Sequence, residues 1–200
     1  MPMVRRELWR SIPILTVNTR LAAFQLWSPK MHAYYRECLA VVEEATGESR
    51  NFAGSVFACA SMNFGPRVRS FMHRDPLNLP FGWCAITALG EFDSTKGGHL
   101  ILWDLKLAIE FPPASTILIP SATLTHSNTA VYGSNESRLS LAQYTAGGIF
   151  RWVDNGCQTE GELRASDKKA YARMLELKET RWKMGLAMYS KQEDLLEVLD

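Results

Sequence analysis

Residues 73–128 read HRDPLNLPFGWCAITALGEFDSTKGGHLILWDLKLAIEFPPASTILIPSATLTHSN. Short apolar runs alternate here with clusters of Gly, Pro, Asn and Ser, a pattern of closely spaced strands rather than of helices. Carried outward to Ser55 and Thr145, it predicts strands near Val56–Asn63, Val68–Met72, Trp83–Leu89, His99–Trp103, Ala108–Phe111, Thr116–Ile119, His126–Ala130 and Arg138–Thr145. Turn residues at Asp93–Gly98, Pro112-Pro113 and Gly133–Glu136 suit hairpin or Greek-key connections. So many short strands indicate a sandwich or a double-sheet jelly roll.

Helices flank this β region. Ser28-Pro29 reads as an N-cap followed by Pro at the first helical position. Met31, Tyr34, Tyr35, Cys38, Leu39, Val42 and Ala45 then follow helical spacing, and Gly47 can stop the helix. From Ser166 onward Tyr171, Met174, Leu175, Leu177 and Trp182 form an apolar stripe among mixed charges. Ser190-Lys191-Gln192-Glu193 is a capping-box pattern before Leu195, Leu196, Val198 and Leu199. The fold class is mainly β with flanking helices (α+β). The expected organisation is a single domain over 1–200: an N-terminal strand/helix region at 1–50, the β core at 51–150 and C-terminal helices at 160–200.

The chain has 200 residues, enough to bury a sizeable core. No apolar run reaches the length of a membrane span. Arg5, Arg6, Arg10 and Arg20 interrupt the N-terminal apolar residues, so no clean secretory leader is legible. Cys38, Cys59, Cys84 and Cys157 lack CxxC spacing and read as reduced, core-like thiols of an intracellular protein, not as a structural zinc site. The net charge of +1 does not mark a nucleic-acid binder. Cations nevertheless outnumber acids over residues 1–75, and Arg67, Arg69 and Arg74 bracket the HRD motif. Such a rim can meet phosphates, or can be scattered solvated charge.

The chemistry starts at His73-Arg74-Asp75. Two residues apart on a strand, the His and the Asp point to one face. A second His on a later strand completes a two-His-one-carboxylate set, the arrangement that holds non-haem Fe(II) and leaves positions open for O2 and a co-substrate. His126 supplies it. His99 competes, but it follows Gly97-Gly98 and reads as a turn or strand-start residue. HRD also opens the kinase catalytic loop. That reading needs Asn five residues after the Asp, where Pro80 stands, and a DFG motif that is missing. Arg138, Ser140 and Tyr144 share one face of the last strand, and Leu139, Leu141 and Gln143 the other. Arg138 offers a fork for the far carboxylate of 2-oxoglutarate, with the Ser140 hydroxyl beside it. Asn78 follows Asp75 closely. It can hydrogen-bond the edge of a substrate base or cap a turn before Pro80. Phe64, Phe71, Trp83 and Trp152 are candidates for stacking on a base, or are core.

Together with RLSLAQYTAGGIFRWVDNG (138–156), the quoted stretch resembles the TET/JBP oxygenases, in particular the compact forms of basidiomycete fungi. The resemblance covers roughly residues 50–160. It implies a double-stranded β-helix (cupin-like) and an Fe(II)- and 2-oxoglutarate-dependent dioxygenase that uses O2, with ascorbate in vitro. The implied substrate is DNA carrying methylated bases, reached by flipping the base out of the stack. 5-Methylcytosine would give 5-hydroxymethylcytosine and further oxidised forms; N6-methyladenine demethylation is the other expected activity. His73, Asp75 and His126 resemble the family's iron ligands. Arg138 resembles its 2-oxoglutarate arginine, within an Arg-x-Ser pattern completed by Ser140. Asn78 matches a base-contacting position and Tyr144 an aromatic one. Arg69, or Arg67, can stand for a further 2-oxoglutarate arginine ahead of the HxD motif. One departure is plain: animal relatives place a base-contacting His eight residues beyond the clamp Arg, where this chain has Ala146. Their Cys-rich zinc region is also missing. A monomeric nuclear protein is expected. The alternatives are RNA, a protein side chain or a small molecule as substrate, or a non-catalytic nucleic-acid-binding module on the same fold.

Overall fold

The computed structural model describes residues 22–50, 52–191 and 193–194. Arg5, Arg6, Arg10, Arg20, Gln192 and the apolar residues from Leu195 on lie outside the described residues. In chain order the elements are α1 (Pro29–Thr46), β1 (Cys59–Asn63), β2 (Cys84–Glu91), β3 (Leu100–Leu102), β4 (Leu107–Ile109), β5 (Thr116–Ile119), β6 (His126–Asn128), β7 (Ser137–Tyr144), α2 (Gly147–Asp154), α3 (Glu160–Ser166) and α4 (Lys168–Ala187). The class is α+β, as the patterning predicts. No helix among the described residues is long and apolar enough to cross a membrane.

The strands form two antiparallel sheets, ordered β1-β7-β2-β5 and β4-β3-β6. β7 sits between β1 and β2, paired from Cys59↔Tyr144 to Asn63↔Ser140 on one side and from Ala85↔Gln143 to Glu91↔Ser137 on the other. Alternation along β2 divides the core. Ala85 joins Phe24, Met31, Tyr35, Phe57 and Phe150 in the layer beneath the helices. Ile86 and Ala88 point the other way, toward Leu100, Leu102, Phe111 and Ile119 between the sheets. The four-stranded sheet is thus covered by α1 and α2 on one face and by the second sheet on the other.

α1 forms as expected. Pro29 is at its start, and Gly47 ends it at φ +69°, with its N–H on the Glu43 carbonyl. Met31, Tyr35, Cys38 and Leu39 are its buried apolar stripe. The Ser28 hydroxyl, however, donates to the Met188 carbonyl and does not cap α1. In α4 only Met174 of the expected stripe is buried; Leu175, Leu177 and Trp182 are exposed. A capping box of Thr159 with Glu162 opens α3, and Asp167 caps α4; the expected Ser190–Glu193 box runs into Gln192, outside the described residues. All four cysteines are free, Cys38 and Cys84 buried, Cys59 and Cys157 half-buried.

Val68–Met72 is not a strand. Its backbone groups are met by a mixture of partners: the Asn128 Oδ1 accepts the Ser70 N–H at 2.7 Å, its Nδ2 donates to the Val68 carbonyl at 3.3 Å, the Val68 N–H donates to the Arg138 carbonyl at 2.9 Å, and the Asn128 N–H donates to the Ser70 carbonyl at 3.3 Å. With these bonds made, a ladder is not required to satisfy the segment. Isolated bridges, Arg67↔Arg138, His73↔His126 and Asn78↔Ala146, pin the stretch around the HRD motif instead.

At Gly90 the backbones of β2 and β7 leave no room for a side chain. The residue adopts φ +106°, and a Cβ there would lie 2.3 Å from the Ser137 carbonyl oxygen. Gly90→Ala is expected to cost roughly 2–5 kcal/mol, from left-handed strain and overpacking together. The thermal midpoint should then fall by on the order of 10 °C. A midpoint within a degree of wild type would show that the two strands yield at no cost.

Candidate active site

A cavity of about 520 Å³ opens between the two sheets. β1 contributes Ser61 and Asn63, β2 Cys84 and Ile86, β6 His126 and Asn128, and β7 Arg138, Ser140 and Tyr144; residues 68–70 and 73–78 border it as well. The volume suits a small-molecule guest with part of a larger one.

His73, Asp75 and His126 converge on one wall. Their ligand atoms lie within 4.8 Å of one another. The backbone sets this meeting. His73 and His126 exchange N–H···O=C bonds of 3.0 and 2.9 Å, so their rings stand side by side with centroids 4.3 Å apart. The Asp75 N–H donates to the Ser121 carbonyl at 2.9 Å, which turns the carboxylate toward the rings. The His73 Nε2 is 3.6 Å from Asp75 Oδ1, and the His126 Nε2 is 4.0 Å from Asp75 Oδ2. Each imidazole spends its Nδ1 on a carbonyl two residues back, His73 on Phe71 at 2.7 Å and His126 on Leu124 at 2.9 Å. That leaves both Nε2 atoms free for a metal, with the outer nitrogen fixed by the chain. Burial, partly countered by the Leu124 carbonyl, holds the His126 pKa below its ordinary value, so the ring favours its neutral, ligating form. The donor set is the one that suits Fe(II), and the exposed side of His73 and Asp75 leaves an open face. His99 is outside this group; its Nδ1 meets the Thr129 hydroxyl at 3.3 Å.

A second charged group faces the same cavity. Arg138 is 2% exposed, and its Nε has no partner among the described residues. Its Nη1 reaches the Val68 carbonyl only at 3.3 Å, and the Phe92 ring lies 6.0 Å from the guanidinium carbon. Burial pulls the Arg138 pKa below its ordinary value, so an anion beside it would be welcome. Ser140 stands two residues along, its hydroxyl accepting from Asn63 Nδ2 at 2.9 Å. Tyr144 shares a hydrogen bond with Ser61 at 3.2 Å. Arg69 lines the cavity, its guanidinium over the Phe71 ring. Arg67 does not; it donates to the carbonyls of Gly133 and Ser134.

Asn78 lines the cavity and donates from Nδ2 to the Ser121 hydroxyl at 3.1 Å. Ala146 lies opposite it across an antiparallel bridge. Of the aromatic candidates, Trp83 packs on Phe24 in the core and Trp152 borders a separate cavity by α2. Phe64 and Phe71 are exposed.

The contacts that hold these groups in place are not legible in the sequence, where Arg74 stands only as part of a basic rim. Arg74, between two candidate ligands, donates to the Thr125 hydroxyl at 2.8 Å and to Asp104 at 3.3 Å. Asp104 in turn accepts the Thr125 N–H at 2.6 Å, next to His126. Asn63, Ser121 and Asn128 act similarly. Nothing in a single sequence marks them, because their partners are distant in the chain.

No protein-family profile matches the chain, and no curated protein matches it. Among solved structures it is similar to NgTET1 in complex with 5mC DNA, at 15% sequence identity and a TM-score of 0.42. The match covers 50% of this chain and 38% of that one, so this chain spans under two fifths of its neighbour.

Proposed function

We propose that the chain is an Fe(II)- and 2-oxoglutarate-dependent dioxygenase of TET/JBP type, built on a double-stranded β-helix. It oxidises methylated bases in DNA, 5-methylcytosine to 5-hydroxymethylcytosine and beyond, with N6-methyladenine as a second substrate. The observation that carries this reading is one cavity that joins two features: a His73–Asp75–His126 donor cluster and a buried Arg138 whose Nε lacks a partner among the described residues. The first suits Fe(II); the second suits the far carboxylate of a keto-acid co-substrate. Bound iron would supply O2 activation coupled to decarboxylation of 2-oxoglutarate to succinate.

The chain's own groups do the rest. Arg138 and Ser140 hold the carboxylate, with Arg69 adding positive charge at the rim. Asn78, just past the ligand segment, and Tyr144, at the end of β7, contact the base. Since the donor cluster lies in the wall of a cavity, a base in a duplex must leave the stack to reach it. The enzyme acts as a monomer in the nucleus under this reading.

The test is mass spectrometry of nucleosides from methylated oligonucleotides incubated with protein, Fe(II), ascorbate and 2-oxoglutarate, with succinate measured in the same reaction. Wild type should form oxidised base and succinate together. Asn78→Ala should lose base oxidation more than succinate formation, because the donor cluster and the clamp stay intact. Equal losses would make Asn78 a turn residue. Turnover of a peptide or metabolite with no methylated DNA base consumed would overturn the nucleic-acid assignment and leave the oxygenase assignment standing.

A further inference from the structure

A second cavity, of about 280 Å³, shares no lining residue with the first. α2 gives it Gly148, Arg151, Trp152 and Asn155, and α4 gives it Met174 and Arg181. Gly148, Arg151 and Asn155 are spaced by three and four residues, so they stand on one face of α2. The stripe is about 10 Å long, at 1.5 Å of rise per residue. Its two ends carry polar groups with nothing to bind. In the first turn of α2 the Gly148 N–H has no acceptor among the described residues. The Arg151 guanidinium folds back toward it, with Nη2 3.7 Å from the place a Cβ on Gly148 would take. Its acidic neighbour Glu160 is already paired with Lys178 at 2.9 Å. At the far end Asn155 is 8% exposed, and its carboxamide makes no hydrogen bond among the described residues. A buried amide left unpaired is costly to the fold, and this one borders the cavity. Other acceptors on the wall are spent: the Thr159 hydroxyl in its capping box, and Gln158 Oε1 on the Ser166 hydroxyl at 3.1 Å. Arg181 is held by Asp154 at 2.8 Å.

We propose that this second cavity binds one nucleotide, either free or as a unit of a strand. Its phosphate sits where the Gly148 N–H and the Arg151 fork meet, the pairing of helix start and guanidinium that suits an oxyanion. Its base lies along Trp152, which stands between the two ends of the stripe, four residues past Gly148 and three before Asn155. An aromatic face accepts any base by stacking. The Asn155 carboxamide, a donor and an acceptor side by side, meets the base edge. The two glycines that open α2 have a use here: a side chain on Gly148 would meet the Arg151 guanidinium. The site is separate from the proposed iron cavity, and the inference does not rest on the dioxygenase reading.

The test is calorimetric titration of the metal-free protein, at fixed ionic strength, with deoxyadenosine 5′-monophosphate and with inorganic phosphate. Wild type should bind both, the nucleotide more tightly. Arg151 is exposed, so Arg151→Gln should fold, and it should weaken both ligands by about tenfold to a hundredfold. Asn155→Leu should weaken the nucleotide and leave inorganic phosphate as it was. Arg138→Met and Asn78→Ala, which alter the first cavity, should bind both ligands as wild type does. A short adenine strand separates the two sources. If the nucleotide is a unit of a strand, Arg151→Gln lowers the strand's affinity and its salt slope by about one. If it is free, the strand binds wild type and variant alike; either result agrees with the proposal while the mononucleotide results hold. Failure of wild type to bind the mononucleotide, binding unchanged in Arg151→Gln, or binding lost in Arg138→Met overturns it. Should Asn155→Leu not fold, Arg151→Gln and Arg138→Met decide.

Discussion

Alanine at His73, Asp75 or His126 is expected to abolish turnover and to weaken Fe(II) binding by more than about a hundredfold. Losses of groups that merely support a ligand already cost roughly 10–100-fold, and here the ligand itself is removed. The three side chains come from two bridged segments, and no fourth His, Cys, Asp or Glu joins the cluster among the described residues. Two remaining donors cannot hold the ion at the cavity wall. Anaerobic titration with Fe(II) checks the affinity directly, and circular dichroism shows whether each variant folds. His126→Ala is the most telling. His126 is the buried member, and its Nδ1 is already held by the Leu124 carbonyl. Full activity in that variant would move the distal ligand elsewhere, and His99 would be the first residue to replace next.

The strands were legible where one face is plainly apolar. Cys84–Glu91, Thr116–Ile119 and Ser137–Tyr144 fall within a residue or two of their expected positions, because period-two alternation against a core leaves one register. Val68–Met72 shows the limit. Val, Arg, Ser, Phe and Met read as a strand, but Asn128, some sixty residues later, takes up the backbone groups a partner strand would have used. The helix Gly147–Asp154 was also not legible: it opens on two glycines, with no side chain capping its start. Its place is decided by packing of Phe150 against Tyr34 and Tyr35, a tertiary fact. In the site, the HRD motif advertises itself by residue type, whereas Ser121 and Asn63 are ordinary polar residues that matter only through what they touch.

Arg138→Met is expected to raise the 2-oxoglutarate KM by roughly tenfold to a hundredfold, the worth of hydrogen bonds to a charged group. It should do so without loss of stability. A guanidinium buried to 2% exposure, with no partner for Nε and one long bond to a carbonyl among the described residues, is a burden to the fold. An apolar side chain of similar length removes that desolvation, and such exchanges are often neutral or stabilising. The thermal midpoint of Arg138→Met should therefore equal or exceed that of wild type. Addition of 2-oxoglutarate with Fe(II) in the absence of O2 should raise the wild-type midpoint, as any ligand of the native state does, and should raise the variant's far less. Arg138→Lys keeps a charge but loses the two-pronged fork, and its KM should lie between the two. If Arg138 instead served the β7 backbone alone, the pattern would reverse: Arg138→Met would unfold at a lower temperature and bind 2-oxoglutarate as wild type does. A residue kept at a cost to stability and needed for the co-substrate is the signature of a binding group, and these two measurements read its two halves separately.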